Sequence, residues 1–298
     1  MGQDVKNPQY WNALWKQHLI LGERKSVTVE ESIKNSIERW EKRAKPFAEN
    51  VLGDVGSPRV VKIIDWMEKQ GVQLDGSSVL DIGSGPGAFT IPFAQKAERV
   101  VALEPVKAMA DILREQVKKS ELHNVEIVEE PWETVNIQDK QWEEAFDLVF
   151  ASMVPGISDM ETAEKAIRSS RKYCYISSFA GKRQFQGVVD LWPILFEHEQ
   201  SNHHLDIQYL LNIIYTQGYA FSLKVWQEDK QKQLSAEQAY DELLKQLLMA
   251  VDEKVADTFH QQIDMMESKI RDYIDRNLVD GIYTYKSTVR LAAILVEK

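Results

Sequence analysis

The chain has 298 residues, of which 44% are hydrophobic and 28% are charged, and its formal net charge is −10. This length and composition indicate a globular protein with a substantial core, and the acidic balance disfavours nucleic acid as a partner. The sequence has no apolar window long enough to span a membrane, and its polar first ten residues lack a signal-peptide stretch. We therefore expect a cytoplasmic protein that binds neither nucleic acid nor membrane.

Residues 1–75 are predicted to form an N-terminal helical segment. From Pro58 to Gln70, apolar residues recur at helical spacing, and Gly71 follows as a stop signal. We expect this segment to precede the main domain and to act as a lid or a packing element.

An aromatic cluster lies near the start of the segment, at Tyr10, Trp11 and Trp15. Trp11 and Trp15 share a helix face with Leu14, as in a helix that packs on a core. Aromatic faces also attract cations, so the alternative is that these residues cap a ligand pocket or contact the substrate.

Residues 76–228 alternate short β-branched runs with helical stretches, which is typical of βαβ units and a mostly parallel sheet. The predicted strands are Ser78–Ile82, Arg99–Glu104, Val125–Glu129, Phe146–Ala151, Tyr173–Ser177 and Ala220–Trp226. Helices are predicted at Ala88–Ala97, Lys107–Ser120, Asp159–Ser170 and Asp206–Gln217. A last strand, Ser287–Glu297 within residues 282–298, completes a sheet of seven strands.

Residues 229–281 form a predicted helical insertion before the last strand. Ser235 and Gln238 have the spacing of a capping box. A long amphipathic stripe follows, made of Leu244, Leu248, Val251, Val255, Phe259, Ile263, Met266, Ile270 and Ile274. The stripe fits a cap that packs on the parent domain, a lid over the substrate, or the seam of a homodimer formed through the helices of residues 235–276.

A glycine-rich turn connects the first predicted strand to the following helix, from Asp81 to Gly87. Its three alternating glycines permit positive φ and close approach of a ligand to the backbone. The free amide groups and the helix N-terminus favour an anion, whereas Asp81 favours a cation. The turn therefore suits a zwitterionic amino-acid group.

The second strand ends at Glu104, which lies 17 residues beyond Gly87. An acidic residue at this place accepts hydrogen bonds from the ribose hydroxyls of a nucleoside. The turn also satisfies the GxGxxG/A pattern of dinucleotide-binding proteins through Gly83, Gly85 and Ala88. Against that alternative, Asp81 stands where such proteins usually need an apolar residue.

This series of motifs, Asp81-x-Gly-x-Gly-x-Gly, Glu104 and the strand Phe146–Ser152, resembles that of the class I S-adenosylmethionine-dependent methyltransferases of the small-molecule type. The resemblance covers about residues 60–226 and the last strand. It implies an α/β fold with a Rossmann-like, seven-stranded, mostly parallel sheet whose last strand is antiparallel. The N-terminal helical segment and the helical insertion would be additions to that fold.

The resemblance also implies which residues bind the cofactor. They are Asp81, Gly83, Ser84, Gly85 and Gly87 for the methionine part, Glu104 for the ribose, Pro105 and Met109 for the adenine, and Ala151, Ser152 and Met153 near the sulfonium. An acidic residue often contacts the adenine after the third strand. Here a proline takes that place, so Glu130 or the backbone of Trp132 is expected to substitute.

The implied activity is methyl transfer from S-adenosylmethionine to a small molecule, with S-adenosylhomocysteine as product. The motifs of polymer amide or adenine methylation, cytosine C5 methylation and metal-dependent catechol methylation are all absent after the fourth strand, and no metal is expected. His198, His203 and His204 are candidate general bases, although their polar segment also fits an exposed loop. The alternatives are a non-catalytic cofactor-binding regulator and a nicotinamide-dependent oxidoreductase.

Overall fold

The computed structural model describes residues 4–22, 28–53, 58–181, 184–196, 207–250 and 263–298. Its strands are β1 Ser78–Ile82, β2 Arg99–Leu103, β3 Val125–Val128, β4 Phe146–Ser152, β5 Ser170–Phe179, β6 Gln184–Phe185, β7 Ala220–Leu234, β8 Leu278–Val279 and β9 Ile282–Glu297. Its helices are α1 Pro8–Gly22, α2 Val29–Leu52, α3 Pro58–Lys69, α4 Thr90–Ala94, α5 Lys107–Lys119, α6 Met160–Ser169, α7 Gln186–Leu195, α8 Ile207–Thr216, α9 Ala236–Ala250 and α10 Ile263–Asn277.

The strands form one sheet in the order β3-β2-β1-β4-β5-β9, and β7 lies on the far side of β9. Strands β1 to β5 are parallel, whereas β9 runs antiparallel to both β5 and β7. The chain order reverses at β1, which lies between β2 and β4. In a sheet of this kind, the crevice at the carboxyl ends of the strands around the reversal is where ligands bind.

The predicted fold class, a mostly parallel α/β sheet with an antiparallel last strand, is confirmed, but the strand count differs. The described residues form nine strands rather than seven, because the two-residue strands β6 and β8 add to β9. Strand β7 also runs eight residues past its predicted end at Trp226. It pairs with β9 continuously from Ala220 opposite Glu297 to Leu234 opposite Tyr283.

Consecutive residues of the central strands point to opposite faces of the sheet, and each face is covered by helices. Leu80 and Val101 belong to one buried cluster, and Val79 and Val100 belong to the other. The first cluster receives side chains from α1, α6 and α8, and the second receives side chains from α3 and α4. None of the helices within the described ranges is both long and apolar enough to cross a membrane.

A third buried cluster lies beside the outer part of the β7/β9 ribbon and unites α7, α9 and α10. The predicted capping box is present, since the Ser235 N–H donates to Gln238 Oε1 over 3.0 Å and the Gln238 N–H donates to Ser235 Oγ over 3.4 Å. On α9 the fully buried residues are Ala239, Leu243 and Leu247, which lie next to the predicted stripe rather than on it. Residues 251–262 of the stripe lie outside the described residues.

The division of the chain at residues 75, 228 and 281 stays a prediction, as does the homodimer through the helices. Residue 229 falls inside β7, so the helical part of the insertion begins only at Ala236. Helices α9 and α10 contact each other, α7 and the ribbon, and these contacts account for the apolar residues buried on both helices.

Gly187, on α7, is the tightest point of the third cluster. A Cβ there would lie 2.4 Å from Leu243 Cδ2 and 2.7 Å from the Tyr283 hydroxyl. We expect Gly187→Ala to lower the free energy of unfolding by about 1–3 kcal/mol, the usual cost of overpacking, in urea denaturation. Val189→Ala, on the exposed face of α7, is the control and should change it by under about 0.5 kcal/mol. An unchanged midpoint for Gly187→Ala would contradict this packing.

Candidate functional site

The glycine-rich turn lies at the carboxyl end of β1, at the point where the strand order reverses. Gly83, Gly85 and Gly87 have φ angles of 65°, 56° and 98°, a region that side chains disfavour. The N–H groups of Gly83 and Ser84 both donate to the Leu103 carbonyl, over 2.8 and 3.1 Å. The turn is thereby tied to the end of β2.

At two of these glycines, neighbouring side chains also leave no room for a Cβ atom. A Cβ on Gly83 would lie 2.9 Å from a methyl group of Val154, and a Cβ on Gly87 would lie 2.5 Å from Leu113 Cδ1. The loop after β4 and helix α5 therefore both approach the turn to contact distance.

Asp81 is buried in the last part of β1, with 2% of its surface exposed. Its Oδ2 accepts a hydrogen bond of 2.6 Å from Thr90 Oγ1, at the start of α4. Burial raises the pKa of Asp81 from its ordinary value of 3.8 to about 7; the Thr90 bond opposes this rise and the nearby Glu104 adds to it. The carboxyl therefore changes charge near neutral pH, and a bound cation would favour its ionised form.

Glu104 follows β2 and is 4% exposed. Its Oε2 accepts from the Gly85 N–H over 2.7 Å, and its Oε1 accepts from the Val106 N–H over 2.9 Å. Burial raises the pKa of Glu104 to about 7 against these two bonds. One carboxyl group thus connects the turn, β2 and the start of α5.

Ser84, at the centre of the turn, carries a hydroxyl that has no hydrogen-bond partner among the described residues. The residue is 8% exposed. Buried polar atoms are nearly always satisfied in native proteins, so this hydroxyl is available to a ligand in the crevice.

Helix α2 packs against the glycine turn and the start of α5. Phe47 Cε1 and Met109 Sδ would each lie 3.9 Å from a Cβ on Gly85, and Ala44 packs with Val106 and Met109 in one small buried cluster. The Glu41 carboxylate accepts from the Ala108 N–H over 3.2 and 3.3 Å. These contacts hold α2 on the first turn of α5.

The sequence did not single out Phe47 and Glu41, because the residues it offered as an alternative cap of a ligand pocket were those of the first aromatic cluster. The signal that could have found them is the capping box of Thr28 and Glu31, followed by apolar residues at helical spacing on one face. That face is formed by Ile37, Trp40, Ala44 and Phe47.

The predicted lid aromatics on α1 lie against α6 and α8. Trp15 is 4% exposed, and its ring is stacked on Tyr209 with 6.4 Å between centroids. Trp11 Nε1 donates to the Val5 carbonyl over 2.9 Å, and the Tyr10 ring meets the Trp11 ring edge-on at 5.2 Å. The Asn12 side chain accepts from the Met160 N–H over 3.0 Å and so caps α6.

The loop that follows β4 contacts the glycine turn through Val154, and it begins at Met153, whose φ is 61°. Its N–H donates to the Ser177 carbonyl over 3.0 Å. The Ser177 hydroxyl lies 3.2 Å from the Ser152 hydroxyl, which lies 3.5 Å from Arg59 Nη2. A non-glycine residue in this conformation is costly and often marks a functional site.

The remaining residues that were predicted to bind the cofactor are Pro105, Glu130, Trp132 and Ala151. Pro105 follows Glu104 directly, and Ala151 is buried in β4. Glu130 is ion-paired with Lys140 over 2.6 Å. Trp132 is 2% exposed in the sheet core and donates its indole N–H to the Thr162 carbonyl over 3.0 Å. The roles of these residues toward a cofactor stay predictions.

His198, His203 and His204 lie outside the described residues, so their role as a base stays a prediction. In the part of the chain that is described, no group of three or more histidine, cysteine, aspartate or glutamate residues could hold a metal ion.

Known proteins that are similar to this chain include methyltransferases. Residues 79–174 match the family model described as "Methyltransferase domain". An uncharacterized protein of Haemophilus influenzae is 30% identical over 190 residues, 62% of this chain and 65% of that protein. The ribosomal RNA small subunit methyltransferase A of Desulforapulum autotrophicum is 37% identical over 84 residues, 28% of each chain. The match to the first relative thus spans just under two thirds of its length.

Among solved structures, the YcgJ protein of Bacillus subtilis is similar with a TM-score of 0.51. The alignment covers 80% of this chain and 98% of that protein at 13% identity. At this identity the likeness shows the fold alone, which is Rossmann-like.

The buried carboxyl of Asp81 should make stability depend on pH. The pKa of this carboxyl rises from 3.8 to about 7 on folding, so the folded protein holds the proton more tightly than the unfolded chain does. The protonated carboxyl therefore stabilises the fold at low pH, and this stabilisation is lost as pH rises toward 7. Asparagine does not ionise, so the free energy of unfolding of Asp81→Asn should not show this loss. We expect the difference in free energy of unfolding, Asp81→Asn minus wild type, to increase by up to about 3 kcal/mol between pH 5 and pH 7.

Urea denaturation of the ligand-free protein at pH 5, 6, 7 and 8 measures this difference. Glu126→Gln, on an exposed part of β3 where the carboxylate pairs with Arg99, removes one charge and serves as the control. A constant difference between Asp81→Asn and wild type across this range would rule out a raised pKa.

Proposed function

We propose that this chain, whose residues 79–174 form a class I, Rossmann-like methyltransferase domain, transfers the methyl group of S-adenosylmethionine to a small molecule. The observation that carries the proposal is the pair of buried carboxyl groups, Asp81 and Glu104, at the carboxyl ends of neighbouring strands on either side of a positive-φ glycine turn. S-adenosylmethionine is the methyl donor of this class of domain, and its two halves have complementary groups here.

The methionine half suits the turn. Thr90 bonds Oδ2 of Asp81, and we assign Oδ1 to the α-ammonium group of the ligand. The unpartnered Ser84 hydroxyl and the backbone amides of the turn are donors for its carboxylate. A buried cation beside Asp81 compensates the burial of that carboxyl, which is otherwise costly.

The nucleoside half suits the space between β2 and α5. Glu104 is an acceptor for the ribose hydroxyls, and its two bonds to Gly85 and Val106 hold it in position. Met109 and Phe47 approach Gly85 from α5 and α2, so they form apolar walls for the adenine.

The protein's contribution to the reaction is alignment. When bound, S-adenosylmethionine supplies an electrophilic methyl group, and positioning of the acceptor in line with it accounts for much of the acceleration. The bend at Met153 and the hydroxyls of Ser152 and Ser177 lie where β4 meets the crevice, and we assign them to orienting the acceptor. A base is needed only when the attacking atom must lose a proton.

A small-molecule acceptor is favoured over ribosomal RNA. The matches to ribosomal RNA methyltransferases are short, such as 56 residues at 41% identity to the probable small subunit methyltransferase A of Methanosphaera stadtmanae, 19% of this chain. The net charge of −10 opposes binding to a phosphate backbone.

Binding and turnover test the proposal together. Calorimetry with S-adenosylmethionine and with NAD should show binding of S-adenosylmethionine only. We expect Asp81→Asn to weaken this binding by roughly 100-fold, because a buried ion pair loses one partner, and Glu104→Gln to weaken it by about tenfold. Wild-type affinity should rise between pH 6 and 7, as Asp81 ionises while the α-ammonium group of the ligand keeps its proton. Glu126→Gln is the control.

Turnover is measured as S-adenosylhomocysteine formed in the presence of a low-molecular-weight cell fraction, with ribosomal RNA as the parallel substrate. Product formed only with the small molecules supports the proposal. Binding of S-adenosylmethionine without turnover on either substrate favours a non-catalytic regulator. Turnover on ribosomal RNA would show that the methyl acceptor is RNA rather than a small molecule. Binding of NAD alone refutes the proposal.

We also propose that α2, rather than the aromatic cluster of α1, is the lid of the cofactor site. Phe47 lies over Gly85 and meets the Trp40 ring edge-on at 5.2 Å. Phe47→Ala removes contacts that hold the lid closed. The contacts of Phe47 that cross from α2 are those with Met109 on α5 and with the turn at Gly85. Partial burial of one aromatic side chain contributes about 1 kcal/mol, so association of S-adenosylhomocysteine should accelerate by up to about tenfold.

Stopped-flow tryptophan fluorescence measures this rate. Lys45→Ala, two residues away on the exposed face of α2, is the matched control and should leave the rate unchanged. Equal association rates for wild type and Phe47→Ala would show that α2 does not limit entry.

A further inference from the structure

A small cavity lies between α1, α8 and the carboxyl ends of β4 and β5. Its volume is about 10 Å³, which is room for a group about the size of a water molecule. Ala151, Val154, Ile176 and Leu210 are among its apolar walls. The cavity therefore accepts one functional group rather than a whole molecule, and the remainder of a ligand would extend toward the crevice.

Trp15 supplies an unused hydrogen-bond donor at this cavity. The residue lines the cavity and is 4% exposed, and its Nε1 has no hydrogen-bond partner among the described residues. A buried indole N–H normally finds a partner, because leaving it unpaired costs the free energy of its lost hydration. The ring itself is held in place by stacking on Tyr209.

The cavity adjoins the proposed site of methyl transfer. Val154 lines it and also contacts the glycine turn, since a Val154 methyl group would lie 2.9 Å from a Cβ on Gly83. Ser177 lines it as well, and its hydroxyl lies 3.2 Å from the Ser152 hydroxyl at the end of β4. A ligand group in the cavity would be attached to atoms near Ser152 and Met153.

The residues that line the cavity indicate which functional group of a ligand could bind there. Among the described residues that line the cavity, none carries a charged side chain and most are apolar. A carboxylate or an ammonium group would be buried there without an ion partner, which is strongly unfavourable. A neutral oxygen that accepts one hydrogen bond matches both the apolar walls and the free indole N–H.

We propose that this cavity binds a neutral carbonyl oxygen of the methyl acceptor, with the Trp15 indole N–H as its hydrogen-bond donor. The inference rests on the proposed function and narrows its substrate class to small molecules with a ketone, amide or ester carbonyl near the methylated atom. Trp15 is then a specificity residue on α1, while α2 covers the cofactor.

The test uses the full chain saturated with S-adenosylhomocysteine and follows the Trp15 indole resonance by ¹H–¹⁵N NMR. Its assignment comes from the resonance lost in Trp15→Phe. Three probes built on the same five-membered ring are titrated: cyclopentanone, the near-isosteric methylenecyclopentane, and the charged cyclopentanecarboxylate. We expect cyclopentanone to shift the Trp15 indole proton downfield in a saturable way, whereas the other two leave it in place.

Trp15→Phe keeps an aromatic ring and loses the donor, so it should bind cyclopentanone about tenfold more weakly, the effect of one neutral hydrogen bond. Trp142→Phe is the matched control, because Trp142 is 6% exposed in the same core cluster and does not line the cavity. The affinity of S-adenosylhomocysteine should be the same in both variants. Should Trp15→Phe not fold, Trp15→Tyr, which also lacks the indole N–H, supplies the assignment, and the wild-type titration then decides alone.

The outcomes separate the two proposals. If S-adenosylhomocysteine binds but cyclopentanone leaves the Trp15 resonance unmoved, the inference is wrong and the proposed function stands. The inference is also wrong if methylenecyclopentane shifts the resonance equally or if the carboxylate binds more tightly than the ketone. If S-adenosylhomocysteine itself does not bind, the proposed function fails, and the inference that rests on it fails too.

Discussion

The buried carboxyl of Glu104 is the contact on which the candidate site depends. It accepts hydrogen bonds from the turn at Gly85 and from the start of α5 at Val106, and it stands at the end of β2. Burying a carboxyl is unfavourable, so such a group persists where backbone donors or a ligand compensate it. With Asp81 at the end of the neighbouring strand, it leaves two acidic groups facing one crevice, a charge arrangement that suits the ammonium and hydroxyl groups of an amino-acid nucleoside.

The two N-terminal helices α1 and α2 pack against different parts of this edge of the sheet. Helix α2 packs on α5 and brings Phe47 to the glycine turn, whereas α1 packs on α6 and α8 and brings Trp15 to the end of β4. The first lies over the proposed cofactor and the second over the proposed acceptor. A ligand pair enclosed in this way would be shielded from water, which strengthens the polar contacts made to it.

The outer part of the molecule has its own core. The β7/β9 ribbon extends past the sheet, and α7, α9 and α10 cover it with a cluster that includes Tyr283 and Tyr285. This cluster is separate from the two that cover the sheet faces. The helices cover one face of this ribbon, whereas β7 itself is an edge strand and most of its residues are exposed.

The sequence by itself determined the features that depend on residues close to each other along the chain. The strand, glycine turn and helix from Ser78 to Ala94, and the place of Glu104, follow from apolar runs, positive-φ glycines and spacing. The class of fold follows from the alternation of strands and helices. The extension of β7 through polar residues was not predictable, because its strand conformation comes from pairing with β9, about 60 residues away.

Only the tertiary structure decided which helix covers which ligand site. Phe47 and Trp15 are both apolar residues on amphipathic helices, and nothing in their local sequence distinguishes a packing contact from a pocket wall. Their positions depend on contacts with α5 and α8, which are distant in sequence. The same holds for the Trp15 N–H, which has no partner among the residues that the structure describes, because a missing partner depends on all the surrounding residues and not on the tryptophan itself.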